Sequence, residues 1–356
     1  MTNITKGLTG LVSVTLLLMM AGCGNSTTTL YPVTTHTAKG YAVGVGCLFY
    51  TEDGATWKAP DDPAFLNGKS FTDVSAVDSQ CAWAVASTKL GGVVFRTLDG
   101  GKSWNTAPLP PNHWPTMTQG IKAITRDVVW VVGDINTIAL TKDGGVTWQE
   151  FNGKFDDQNP AFFQAVSALD DQRAWGVGVT RSGNPYGVFT TNGGATWTPI
   201  DTTSMTAGHD LHDVSAVDGN TIWVAQQAPG NGVYLSTDGG KTFTTAYPDP
   251  GTISDVFSII GLSSNVAFAG FENSSIQMTF DGGRDWAKQN IDGRLTITGL
   301  TIAGSGIWAA GTYPDGDALA GEGAILYSGN GGISWTKQTP TGTPGLTRVS
   351  FVGGHK

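Results

Sequence analysis

The sequence has 356 residues, of which 50 are glycine and 12 tryptophan, and only 14% are charged. Twenty basic residues stand against 29 acidic ones, a formal net charge of −9, which argues against nucleic acid or an anionic membrane surface as the main partner. After the first 22 residues no apolar run is long enough to span a bilayer as a helix, and this composition points to an all-β, extracytoplasmic protein.

Residues 1–22 carry one charge, Lys6, then the apolar run from Leu11 to Met20 and small residues before Cys23. This is the pattern of a secretory signal. Met20-Ala21-Gly22-Cys23 resembles a bacterial lipobox, with Met where Leu is usual, which implies that Cys23 is the lipidated first residue of the mature chain. Gly24 follows it, and in such lipoproteins the absence of Asp there favours the outer membrane. Residues 23–39, rich in Ser and Thr, read as a lipidated tether. The expected location is therefore the bacterial cell envelope, with membrane contact only through the lipid anchor.

From residue 40 onward one hairpin recurs. Its markers are Asp53, Asp99, Asp143, Asn192, Asp238, Asp281 and Asn330, each followed by one or two glycines and then an aromatic: Trp57, Trp104, Trp148, Trp197, Phe243, Trp286 and Trp335. The markers are spaced by 46, 44, 49, 46, 43 and 49 residues, the period of a repeat architecture. The carboxylate or amide can accept from backbone N–H groups a few residues on, the glycines supply positive φ, and the aromatic can pack over the hairpin as an apolar plug. A second pattern precedes each hairpin after the first. Phe71-Thr-Asp-Val-Ser-Ala-Val77 leads to Ala82-Trp-Ala-Val85 as Leu211-His-Asp-Val-Ser-Ala-Val217 leads to Ile222-Trp-Val-Ala225. The aromatic of this second strand is Trp83, Trp130, Trp175, Trp223, Phe268 and Trp308 in turn. Each repeat thus supplies four strands, A (72–77 in the first full copy), B (82–87), C (92–98, ending in the hairpin) and D (103–106).

The hairpin resembles the Asp-box, or BNR repeat, of sialidase-like propellers, xyloglucan-cleaving hydrolases and photosystem II stability/assembly factor-like proteins. Seven hairpins meet six complete A–B units, and Leu346-Thr-Arg-Val-Ser-Phe351 matches strand A with no B strand after it. The spacing therefore predicts a seven-bladed β-propeller over residues 40–356, its first blade completed by that strand, so that no sheet edge is left open.

In such a blade the A–B turn and the Asp-box lie at one end, and the D–A and B–C connections at the other. The longer connections, 108–115, 151–163, 181–186, 201–212, 247–254 and 313–322, all fall at the D–A/B–C end, which makes that face the candidate binding surface. Candidate binding residues are His113, Trp114, Tyr186, His209, His212, Tyr313 and Arg348, with Trp114, Tyr186 and Tyr313 read as exposed aromatics. Aligning the A strands puts Arg348, Asp73, Gly120, Ala165, Asp213, Ser258 and Gly299 in one column near the channel mouth. Asp73 and Asp213 are the alternative catalytic acid/base pair; the plainer reading bonds each to backbone in adjoining loops. The cluster His209-Asp210-Leu-His212-Asp213 lacks the spacing of a metal site, and no metal or cofactor is expected. The Gly-Gly pairs belong to hairpins rather than to a phosphate loop. Cys47 starts a C strand and Cys81 a B strand, at opposite ends of the blades, so both are expected as free, buried thiols.

Regular blades, the lack of a large catalytic insertion and the lipobox look most like the photosystem II stability/assembly factor-like group. That resemblance implies a non-enzymatic scaffold that binds an envelope or extracellular protein through one face, with a polysaccharide as the other ligand class. The photosynthetic members share a basic patch for their partner, and the seven arginines here depart from that. A sialidase-like or xyloglucanase-like glycoside hydrolase is the alternative, although none of the arginines stands in the Arg-Ile-Pro motif of sialidases.

Overall fold

The computed structural model describes residues 38–107, 117–155, 158–227, 232–247, 254–272, 274–291, 294–313 and 321–355. Cys23, the signal, almost all of the tether, His113 and Trp114 lie outside the described residues. The rest forms seven four-stranded antiparallel sheets in the order A-B-C-D, the predicted propeller. Blade 1 joins strand A at Leu346–Phe351 to B at Gly40–Gly44, C at Cys47–Thr51 and D at Trp57–Lys58. Pairing of Gly40 with Phe351 and Ala42 with Val349 closes the ring, and Val352 extends it by donating to the Lys39 carbonyl at 2.9 Å. The A strands of blades 2 to 7 are Ser70–Ala76, Thr118–Ala123, Ala161–Ala168, Leu211–Ala216, Val256–Gly261 and Thr296–Ala303. They neighbour one another in chain order, and blade 1 meets both blade 2 and blade 7.

The hydrophobic core lies between blades rather than at a centre. Each cluster draws on two adjacent sheets, as where Tyr41, Val43 and Leu48 of blade 1 meet Phe71, Val74 and Phe95 of blade 2. The last cluster joins Trp308 and Ile325 of blade 7 to Ala42, Trp57 and Phe351 of blade 1. A blade alone would leave both faces wet, so its stability comes from its neighbours.

The aromatics make this interlock directional. In several blades the Asp-box aromatic packs on the B-strand aromatic of the blade before it: Trp148 stands edge-on to Trp83 at 6.4 Å, Trp197 to Trp130 at 5.9 Å and Trp286 to Trp223 at 6.4 Å. Trp104 meets Tyr41 in the same way at 5.9 Å. Tyr41 is thus the B-strand aromatic of blade 1, a seventh member that a pattern built on Trp and Phe passes over. The plug expected over its own hairpin is also present, because the Nε1 of Trp104, Trp286 and Trp335 donates to the second-glycine carbonyl of its own box.

Within each Asp-box a further residue does as much as the Asp. The Ser or Thr two positions earlier donates its hydroxyl to the carboxylate or amide oxygen and accepts a hairpin glycine N–H, as Thr141 does with Asp143 at 2.8 Å and Gly145 at 2.9 Å. Asp143 in turn accepts from the N–H and hydroxyl of Thr147. In the Asn boxes the side-chain amide reverses one bond, with Asn192 donating to the Thr196 hydroxyl at 2.8 Å. The second glycine is required twice over at Gly194. Its φ is +82°, and a Cβ there would lie 2.2 Å from Phe151.

Candidate functional site: the long-loop face and the charged channel

Hydrogen bonds confirm that the D–A and B–C connections share one face. Asp134 donates to Met117, Arg181 to Pro160, Gln227 to Asp210 and Glu272 to Asp255, each from a B–C connection to the start of strand A. At the other end the A–B turns meet the Asp-boxes, as where Gly100 donates to Gln80 and Gly239 to Asn220.

Every A strand carries a register irregularity at one equivalent place, just before the aligned column of Asp73, Gly120, Ala165, Asp213, Ser258, Gly299 and Arg348. The extra residue of such a bulge is re-aimed out of the pleat. Here it reaches the next blade: Thr72 donates to Thr118 O at 2.9 Å, Thr298 to Leu346 O at 2.8 Å and Thr347 to Phe71 O at 3.0 Å. His212 is the same position in blade 5, with Nδ1 3.0 Å from Phe257 O and its ring edge-on to Phe257. A carbonyl can only accept, so Nδ1 carries the proton. Burial first, and then the Arg348 charge, push the His212 pKa down to about 4, against the opposing pull of the Phe257 bond.

Asp73, Asp213 and Ser258 of the column cap the inner edge of the ring. Strand A has no full strand beside it on its channel side, and in five blades one or two of its N–H groups there are bonded by side chains of the preceding blade. Asp73 accepts from Ile121 at 2.9 Å and Asp213 from Ile259 at 3.1 Å. Two residues further along the strand in four blades, Ser75 serves Ala123, Ser167 serves Ala216, Ser215 serves Gly261 and Ser350 serves Ala76. This corrects the plainer reading of the two Asp residues: their backbone partners are in the adjoining inner strand, not in the loops.

Arg348 then bridges the two carboxylates. Its Nη2 lies 3.7 Å from Asp213 and its Nε 4.0 Å from Asp73, while Nη1 donates to Thr298 O. One guanidinium of blade 1 therefore engages blades 2, 5 and 7, and it is only 8% exposed. Asp73 and Asp213 also accept from the next residue's amide in their own strands, Val74 and Val214. Both oxygens of each carboxylate are thus taken by donors.

Of the other candidates, His209 lines a recess of about 350 Å³ on the long-loop face with Gly208, Asp210, Gln227 and Asp255. The Asp210 carboxyl is raised by burial against the opposing effect of His209. Tyr186 and Tyr313 differ from the exposed platforms expected of them. Both are half-buried, Tyr186 with its ring 6.1 Å from Phe163 and Tyr313 under the Lys337 ammonium at 5.1 Å. Each packs its apolar body on an inter-blade cluster. The cluster read at 209–213 is split, since His212 and Asp213 face the channel partners above while His209 and Asp210 line the recess. Among the described residues no three His, Cys, Asp or Glu side chains stand close enough to hold a metal ion. Cys47 and Cys81 are buried and unpaired, as expected, and burial pushes the Cys47 thiol up to about 12.

Residues 113–246 match the family model described as photosynthesis system II assembly factor YCF48. The photosystem II assembly lipoprotein Ycf48 of Synechococcus sp. (strain CC9902) is 25% identical over 86% of this chain and 86% of its own. A solved structure of YCF48 bound to D1 peptide superposes with a TM-score of 0.58 at 17% identity, covering 76% of this chain and 82% of that one. The Niastella koreensis GH74 enzyme gives a TM-score of 0.54 at 14% identity over 89% of this chain and 66% of its own, a likeness of fold. The chain is an Asp-box (BNR) seven-bladed propeller, and it resembles the photosystem II assembly-factor group of such propellers.

Proposed function

We propose that the protein is a non-enzymatic, assembly-factor-like propeller, tethered by lipid at Cys23 in the bacterial envelope, that holds a protein partner on its long-loop face. The observation that carries this reading is the Arg348 bridge. It occupies Asp73 and Asp213, the only carboxylates of the aligned channel column, so the pair that a glycoside hydrolase would need is committed to holding blades together. The relatives support the same class, since one is solved with a peptide and another is an assembly lipoprotein. Three of the seven arginines, Arg96, Arg126 and Arg348, bond from one blade to another, which leaves little for a basic docking patch and favours a partner held by other contacts. His113, Trp114, Tyr186, His209 and Tyr313 are the residues assigned to that contact.

The test is capture from the native envelope, with a glycan screen run in parallel. Wild type should retain a protein partner, Trp114→Ala should lose it while melting near the wild-type temperature, and Cys23→Ala should move the protein into the soluble fraction. Release of reducing sugar that vanishes in the Asp73→Asn, Asp213→Asn double variant would overturn the scaffold reading in favour of a hydrolase.

A further inference from the structure

The inner-edge caps described above have a gap at blade 6. The position held by Ser350, Ser75, Ser167 and Ser215 in blades 1, 2, 4 and 5 is Lys122 in blade 3, Thr301 in blade 7 and Ile260 in blade 6, so no hydroxyl of that position reaches Ile302 of blade 7. Residues beyond the closing strand take the place. After Val352 the chain turns at Gly353, with φ +68°, and Gly354 donates to Phe351 O at 2.9 Å. His355 then pairs with Ile302 in both directions, its N–H donating to Ile302 O at 2.8 Å and its carbonyl accepting from Ile302 N at 3.3 Å. The Thr301 hydroxyl donates to the same carbonyl at 3.1 Å. Gly354 is pressed against this edge, where a Cβ would come within 2.8 Å of both Thr301 Oγ1 and Phe351 O.

We propose that residues 353–355 form a latch on the channel side of the seam between blades 7 and 1, and that the seam opens by releasing this latch before strand A of blade 1 leaves its sheet. The contact is one isolated bridge, whereas Leu346–Phe351 pairs along its length with Gly40–Gly44. Its grip is main chain, so the His355 side chain contributes little, and its fit depends on the missing side chain at Gly354.

Native-state hydrogen exchange on the full chain tests this. In the intact protein the Ile302 amide should exchange at lower denaturant than the amides of the Leu346–Phe351 ladder. Removing residues 353–356, or making Gly354→Ala, should speed Ile302 exchange about tenfold or more and leave Ala76, capped by Ser350, unchanged; His355→Ala should behave as wild type. Exchange of Ile302 only together with the ladder, or at an unaltered rate in both the shortened chain and Gly354→Ala, would overturn the latch. An equal rise at Ala76 would overturn it too, by showing general loosening.

Discussion

His212 shows how one side chain can tie the channel to pH. Its imidazole is neutral in the fold, with a pKa near 4 against an ordinary value of 6.5. Between those values the unfolded chain binds more protons, so the contribution of His212 is complete above about 6.5 and is lost as the pH falls towards 4. The charged groups facing it are Arg348, which opposes its protonation, and Asp213 beside it on the same strand. His212→Gln keeps a donor for Phe257 O and cannot titrate. Its denaturant midpoint should match wild type at neutral pH and fall less between pH 6.5 and 4, and a decline equal to that of wild type would place the titration elsewhere. The alignment of Arg348, Asp73 and Asp213 was legible in the sequence, because they share one strand position. That one arginine spans both carboxylates was not legible, because it depends on the channel's width and on the bulge that re-aims each strand.

Among elements, the Asp-box was recognisable from its Asp and glycines, yet the buried Ser or Thr two residues earlier went unread although all seven copies have it. Its role shows only when the hairpin closes and its hydroxyl faces both the Asp and a glycine N–H. The carboxylates carry a second consequence. The Thr147 hydroxyl and N–H hold Asp143 at about 2, and the Thr242 hydroxyl does the same for Asp238, against an ordinary 3.8. A depressed carboxylate stabilises the fold above its ordinary value and loses that contribution as the pH falls through its folded one. Asp143→Asn reproduces the pairing seen at Asn192 and Thr196 and removes the titration. Thermal midpoints taken from pH 4 down to about 2 should drop less for Asp143→Asn than for wild type, with little difference near neutrality.

At the scale of the molecule, ring closure could be read from counting seven hairpins against six A–B units, since an unpaired B strand at one end and an unpaired A strand at the other leave one economical arrangement. The long-loop face could be read from connection lengths. What could not be read was how far its aromatics stand from solvent, because Tyr186 and Tyr313 fold back onto inter-blade clusters that no single repeat contains. Deleting residues 346–356 removes strand A of blade 1, the stack of Phe351 on Trp308 at 3.9 Å and the Arg348 bridge together. Loss of a cooperative melt is the expected result, and a transition within a few degrees of the full chain would show that closure lies elsewhere.

The bond from Val352 N to Lys39 O has a topological meaning as well. It sets the two ends of the folded ring side by side at 2.9 Å, so the polypeptide is in effect a circle cut at one arbitrary point. A short peptide joining those ends would let the cut be moved to any other A–B turn, where only a surface connection is interrupted. Every blade would then keep four strands, the one at the old seam would gain covalent continuity, and a circular permutant would inherit the same set of inter-blade contacts in a different order of synthesis.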